Sequence, residues 1–186
     1  YQAACQLNPA LIASWQAQAE LFAGVGDTAG AQQAQMQVQS LQAMPKALLD
    51  VTDLMEQGKL YKAEQLCKLF LQQSPTDAEA MRLLADIAFR IGAAEEAEFL
   101  LNSAVEFHPN NTRLLIDYIT LLRQRQKFEA SMQVAEKLLK TDDNNPQFNS
   151  VYAIAKMQLG EYAHAIDGFD RVLAQLPQDA ITHTSK

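Results

Sequence analysis

Between residues 80 and 105 the apolar side chains recur at spacings of three and four. Ala80, Met81, Leu83, Leu84, Ile87, Ala88 and Ile91 fall on one helical face, and Ala97, Leu100, Leu101, Ala104 and Val105 on another. Gly92 separates the two, and glycine tolerates the left-handed backbone on which helices commonly end. His108-Pro109-Asn110-Asn111 closes the second face, because proline cannot continue a helix and asparagine favours turns and caps. The pattern predicts two helices with a turn inside the pair and a turn after it. The stretch 146–179 repeats it. Asn145-Pro146 supplies a cap and a first-turn proline, Gly160 stops the first helix, and Pro177 closes a second helix predicted over Tyr162–Leu176.

The breakers keep a period. Gly58, Gly92 and Gly160 are separated by 34 and then 68 residues. Pro75, Pro109 and Pro177 take the same steps, as do Ala63, Ala97 and Ala165. A fixed period held by several residue types at fixed offsets is the signature of an internal repeat. The skipped unit holds Gln126, Ser131 and Asp143 at the corresponding places, so it is degenerate. Gly26 and Ala31 keep the glycine-to-alanine offset but stand 32 residues before Gly58 and Ala63, so the register loses two residues near Met44-Pro45. The chain 1–186 therefore reads as a single array of units 12–43, 44–77, 78–111, 112–145 and 146–179. A partial unit at 1–11, carrying Tyr1, Ala4 and Pro9, precedes them, and residues 180–186 start another.

Composition agrees with an all-α chain. Ala (29), Leu (24) and Gln (21) dominate, while Gly (7) and Pro (6) are scarce. With 48% hydrophobic and 20% charged residues the chain is an ordered one. A net charge of −7 removes the basic footprint that nucleic-acid binding needs, so no nucleic acid is expected as a partner. Apolar runs are a few residues long, too short to span a bilayer, and no secretory signal is visible. The expectation is a cytoplasmic chain with no membrane partner. It starts without Met, in what reads as the middle of a helix, which suggests boundaries inside a longer protein.

At this point the units resemble the tetratricopeptide repeat, a helix pair with a W-x2-L-G-x2-Y, A-x3-F, P pattern. Trp15-x2-Gln18-Ala19-x2-Phe22 opens the first unit, Met81-x2-Leu84-Ala85-x2-Ala88 the third, and Tyr152-Ala153 marks the fifth. Ala97-x3-Leu101 and Ala165-x3-Phe169 follow, each ahead of its proline. Small residues at Ala19, Ala85 and Ala153, and at Ala63, Ala97 and Ala165, let paired helices approach. Ile119 and Asp143 depart from the pattern, so the fourth unit is expected to pack differently or end less sharply. The resemblance implies a right-handed α–α superhelix, a solenoid whose concave face is lined by first helices and binds a peptide or protein segment.

A narrower resemblance points to the N-terminal arrays of bacterial tetratricopeptide–sulfotransferase fusions. It rests on Gly26-Asp27-Thr28-Ala29-Gly30-Ala31, the Met44-Pro45 boundary, Ala63-Glu64, Ala97-Glu98, Arg123-Gln124-x-Gln126-Lys127 and Thr184-Ser185-Lys186. It implies that the chain serves a C-terminal sulfotransferase domain lying outside it. Alternatives are an array of an envelope-assembly protein or of another transferase fusion.

No catalytic set assembles. There is no phosphate-binding glycine cluster, and His108, His164 and His183 are isolated in sequence. Cys5 and Cys67 give no disulfide framework and no metal spacing, and Cys67 takes the place of a bulky core residue. The expectation is a chain that is not an enzyme, with no catalytic residue, cofactor or metal.

Function then rests on the first-helix positions left over from packing. These are Leu48, Thr52, Met55 and Glu56 in the second unit, and Glu79, Arg82, Asp86, Phe89 and Arg90 in the third. The fourth contributes Arg113, Ile116, Thr120, Arg123 and Gln124, and the fifth Gln147, Ser150, Ile154, Met157 and Gln158. Arg82, Arg90, Arg113 and Arg123 concentrate positive charge suited to carboxylates, with Phe89, Met55 and Met157 as apolar contacts. On one reading this groove captures an acidic or C-terminal segment. On the other its arginines are solvated or paired with Glu79, Asp86 and Asp117. The asparagine clamp of chaperone-binding repeats is not matched, because Glu20, Thr52, Asp86, Thr120 and Ile154 stand at its places. Self-association through terminal repeats at Tyr1–Pro9 and Ala180–Lys186, neither of which reads as a polar cap, is a further expectation.

Overall fold

The computed structural model describes residues 12–177. The expected partial units at 1–11 and 180–186, with Cys5 and His183, lie outside the described residues. Within the described residues the chain forms ten helices and no strand. They are α1 (Ile12–Gly24), α2 (Thr28–Ala43), α3 (Lys46–Glu56), α4 (Leu60–Gln73), α5 (Ala78–Arg90), α6 (Ala94–Phe107), α7 (Thr112–Gln124), α8 (Phe128–Leu139), α9 (Pro146–Gln158) and α10 (Tyr162–Gln175). The chain divides into two compact units, residues 1–97 and 98–186, and the division falls inside α6.

In the first unit α1 packs on α2, α3 on α4 and α4 on α5, while α3 also touches α5. Gly26 and Gly58 sit in the turns inside the pairs with φ of 80° and 71°. Their place in the left-handed region explains why the turn selects glycine. The core runs through Leu48 and Val51 of α3, Ala63 and Cys67 of α4, and Ala80 of α5, each 0% exposed. Burying one such leucine contributes about 1.5–3 kcal/mol. The Cys67 Sγ donates to the Ala80 carbonyl at 3.1 Å. Burial, then the neighbouring Asp77 charge, pushes its thiol pKa up to about 12. It is a core residue and not a nucleophile.

In the second unit α7 packs on α8, α8 on α9 and α9 on α10. Asn111 caps α7 by accepting from Leu114 N at 3.3 Å, and Asn145 caps α9 by accepting from Gln147 N at 3.0 Å. Asp77 does the same for α5, accepting from Ala80 N at 2.8 Å. These three caps keep the 34-residue period. Each satisfies an otherwise orphaned first-turn amide, worth about 1 kcal/mol. α3 follows Pro45 without a side-chain cap.

The fourth repeat departs from the others as its sequence predicts. Gln126 takes the intra-pair position that glycine holds elsewhere, with φ of 58°. Helix α8 ends at Leu139, leaving 140–145 as a longer junction than 74–77 or 108–111. Asp143 stands there in place of proline, and Asn149 ties the loop. The Asn149 Nδ2, 2% exposed, donates to the Asp143 carbonyl at 2.7 Å and to the Asn145 carbonyl at 3.0 Å. From α10, Gln175 Nε2 donates to the Asn144 carbonyl at 3.0 Å. Side-chain amides thus do the work that a fixed proline φ does at the other junctions.

Packing within pairs also differs. A Cβ on Gly168 of α10 would lie 2.8 Å from the Ala153 Cβ of α9, so that pair is drawn close by absent side-chain volume. One repeat earlier the same positions hold Ile119 and Val134, both buried. Such volumes would not fit at the spacing that Gly168 and Ala153 allow. Ser131, where other units have alanine, is 0% exposed, and its hydroxyl has no hydrogen-bond partner.

Candidate functional site

The first-helix positions of the first unit are largely committed. Arg82 donates through Nε and Nη2 to the Glu79 carboxylate at 3.0 and 2.6 Å. Arg90 binds the Asp86 carboxylate the same way, at 3.1 Å through each nitrogen. Both pairs lie one turn apart on α5, acid before base, which suits the helix dipole. Phe89, next to Arg90, is exposed. Thr52 is half-buried and its hydroxyl donates to the Leu48 carbonyl of its own helix at 3.0 Å. Leu48 and Met55 need a correction. They are 0% and 4% exposed, so they belong to the core and not to a binding face. On α3 the buried stripe is Leu48, Val51 and Met55, spaced three and four apart. The 34-residue offset carries Arg82 and Phe89 of α5 onto Leu48 and Met55, and there α3 holds apolar side chains that are covered.

The second unit presents a different face. Arg113 and Gln124 are exposed at the two ends of α7, and the exposed Thr120 bonds back to the Ile116 carbonyl at 2.9 Å. Arg123 is half-buried, and its Nε is shielded from water without a hydrogen-bond partner. The Oε1 of Gln158 on α9 is in the same condition. Met157 and Ile154, also on α9, are partly buried against a cluster of Ala153, Ala165 and Phe169. At the end of the same helix Lys156 donates to Glu161 at 2.8 Å. That hydrogen bond holds the Glu161 carboxyl below the usual carboxylate range and the Lys156 ammonium above its own.

Elsewhere in the second unit lie polar groups that the repeat pattern did not single out. Glu98 of α6 receives Arg125, and also Lys127 at 2.7 Å, which anchors the α7–α8 turn. Tyr118 donates to Asn102 Oδ1 at 3.2 Å, and the Asn102 amide donates to Glu106 at 2.9 Å. Burial, then the charges of Glu98 and Glu106, raises the Tyr118 pKa. Asn102, Glu106 and Tyr118 border a cleft of about 1010 Å³ between α6, α8 and the 140–145 junction. Among the described residues no cluster of His, Cys, Asp or Glu is placed to hold a metal, and no helix is long and apolar enough to cross a membrane.

With paired helices, glycine turns and this period established, the comparisons are decisive. A domain family described as the cytochrome c-type biogenesis protein H TPR domain matches residues 31–182. The chain belongs to that family.

Among curated proteins it is similar to human tetratricopeptide repeat protein 21A, 31% identical over 125 residues, and to the mouse protein of that name, 30% identical over 112. Those stretches are 65% and 59% of this chain, and the chain spans only 10% and 8% of the length of those relatives. Among solved structures a tetratricopeptide repeat protein from Parabacteroides merdae aligns with a TM-score of 0.66 at 19% identity, covering 94% of this chain and 70% of that one. A structure of MamA aligns at 0.61 with 18% identity, covering 91% and 93%. The fold is therefore an all-α tetratricopeptide solenoid, a class whose members act as protein-interaction scaffolds.

Proposed function

We propose that the chain is a non-catalytic interaction module that binds a peptide or protein segment on the first-helix face of its second unit. Arg123 carries this reading. Its Nε is desolvated with no acceptor, which costs about 1–3 kcal/mol, more for a charged group, and the guanidinium would gain by swinging outward to meet a bound carboxylate. Arg113, Thr120 and Gln124 frame it on α7, and Met157 supplies apolar surface on α9. Arg82 and Arg90 contribute less to such capture, because a ligand must first displace Glu79 or Asp86. Thr52, Asp86, Phe89 and Arg90 form a secondary face in the first unit.

The family name speaks of cytochrome c-type biogenesis, an assembly process. That favours an assembly module over service to a C-terminal sulfotransferase, which rests on sequence resemblance alone. The first probe is therefore a haem-free, unfolded cytochrome c chain, titrated calorimetrically. Saturable binding that weakens in Arg123→Glu supports the reading. Absence of binding counts against the assembly role, and a strand followed by a phosphate-binding loop after Lys186 in the parent sequence would restore the sulfotransferase alternative.

A further inference from the structure

We propose that the chain self-associates head to tail, with α10 of one copy receiving α1 of the next as α8 receives α9 within the chain. Positions that the internal junctions cover are bare on these two helices. Met132 of α8 is 5% exposed, and both its pair partner α7 and the following α9 pack on α8. Ile166 holds the same place 34 residues on in α10 and is 39% exposed, although its pair partner α9 packs on α10. A pair partner alone therefore does not cover this position, and at Met132 the further cover is α9. Tyr162, one turn ahead of Ile166, follows the same rule. It is exposed, whereas its counterpart Phe128 is half-buried.

Helix α1 is bare in the complementary sense. Leu21 stands five residues before the turn residue Gly26 and is 52% exposed, although α2 packs on α1. The same place holds Ile87 before Gly92 and Ala155 before Gly160, and both are buried. Their helices, α5 and α9, also pack on the second helices that precede them, α4 and α8. On α3 that place holds Asp53, half-buried. Tyr162 and Ile166 thus fit a first helix, and Leu21 fits a second helix, so two copies offer each other matching faces. Charge permits the contact. α1 carries a single charged residue, Glu20, and α2 none, so in a chain of net charge −7 this pair meets a second copy with little repulsion. Two unlike faces make a heterologous contact, which propagates from copy to copy or closes a ring and does not form a symmetric dimer. The apolar area is small, so the association is weak and grows with concentration.

The test is sedimentation velocity of the full chain over about a hundredfold range of concentration, where species larger than a monomer should appear at the upper end. Ile166→Glu and Leu21→Glu should each weaken the association about tenfold or more, because the contact would desolvate a charge, with unchanged far-ultraviolet dichroism spectra. Each variant keeps one intact face, α1 in Ile166→Glu and α10 in Leu21→Glu. An equimolar mixture of the two should therefore form a dimer of one copy of each and grow no further. Arg123→Glu should associate as the wild type does. A wild-type chain that stays monomeric, face variants that associate like the wild type, or a mixture that stays monomeric would overturn the proposal. A dimer of Leu21→Glu alone would point to a symmetric contact and overturn it as well. Loss of association in Arg123→Glu would move the contact to the first-helix face, with the same consequence.

Discussion

Helices α5 and α7 hold equivalent places in successive repeats and both carry arginines on their leftover face. On α5, Arg82 and Arg90 are closed onto Glu79 and Asp86, acids of the same helix. On α7, Arg123 ends with a desolvated Nε that nothing accepts. The scaffold around them differs in the same sense. The α5 repeat position Ala85 becomes Ile119 on α7, the glycine of the turn becomes Gln126, and the junction proline becomes Asp143. The contrast teaches that a helix pair survives loss of its signature residues if other groups take over their geometric tasks. It also teaches that the price appears locally, as a strained φ, a buried orphan hydroxyl and an unanswered guanidinium Nε.

Swapping the packing residues should break the contrast most strongly. Ile119→Ala empties a site built for a large side chain and should cost about 2–5 kcal/mol in denaturant unfolding. The reverse change, Ala85→Ile, overfills a site that is 1% exposed and should cost about 1–3 kcal/mol. Equal and negligible effects would mean that the repeats do not differ in helix spacing. Next comes the loop tie. Asn149→Leu restores the apolar residue type that Met81 and Leu115 supply in other repeats, yet it should destabilise by about 1–3 kcal/mol. It leaves the Asp143 carbonyl without its donor. A stabilised variant would show that the amide bonds contribute nothing.

Smaller effects sharpen the comparison. Gln126→Gly should stabilise by about 0.5–1 kcal/mol, because the left-handed φ is relieved. Gly92→Ala, at φ of 88°, should move stability the other way. The smallest effect is one of pH. The Glu161 pKa is lowered, so its contribution is present above the unfolded carboxylate range and is lost as pH falls through the depressed native value. The Lys156 pKa is raised, so its share is present below the unfolded lysine pKa and is lost as pH rises through the elevated one. Glu161→Gln should flatten the acid limb of a melting-temperature profile slightly, and an unchanged profile would show that this pair is inert.

Much of this was readable from residue spacing, for a physical reason. Glycine at positive φ, proline after a helix and alanine at a close approach are each demanded by backbone geometry, so Gly58, Pro75 and Ala97 announce the repeat. The capping series Asp77, Asn111 and Asn145 carries the same period, set by the orphaned amides at each helix start. What spacing did not carry was side-chain partnering. Whether Arg82 reaches Glu79 or a ligand depends on rotamers, and whether Leu48 and Met55 are covered depends on packing around α3, since the equivalent positions of α5, Arg82 and Phe89, are half-buried and exposed. The cleft beside α8 was hidden for a third reason. It follows from where that helix stops, and from an asparagine at 149 whose partners lie four and six residues back along the chain.

The central claim is that the chain binds its partner through the orphaned arginine of the second unit and not through the neutralised pair of the first. Calorimetric titration of haem-free cytochrome c into wild type, Arg123→Glu and Arg82→Glu tests it directly. The account predicts a loss of about tenfold or more in affinity for Arg123→Glu and less than about threefold for Arg82→Glu. Equal losses in the two variants, an unchanged affinity in Arg123→Glu, or no binding to the wild-type chain would contradict it.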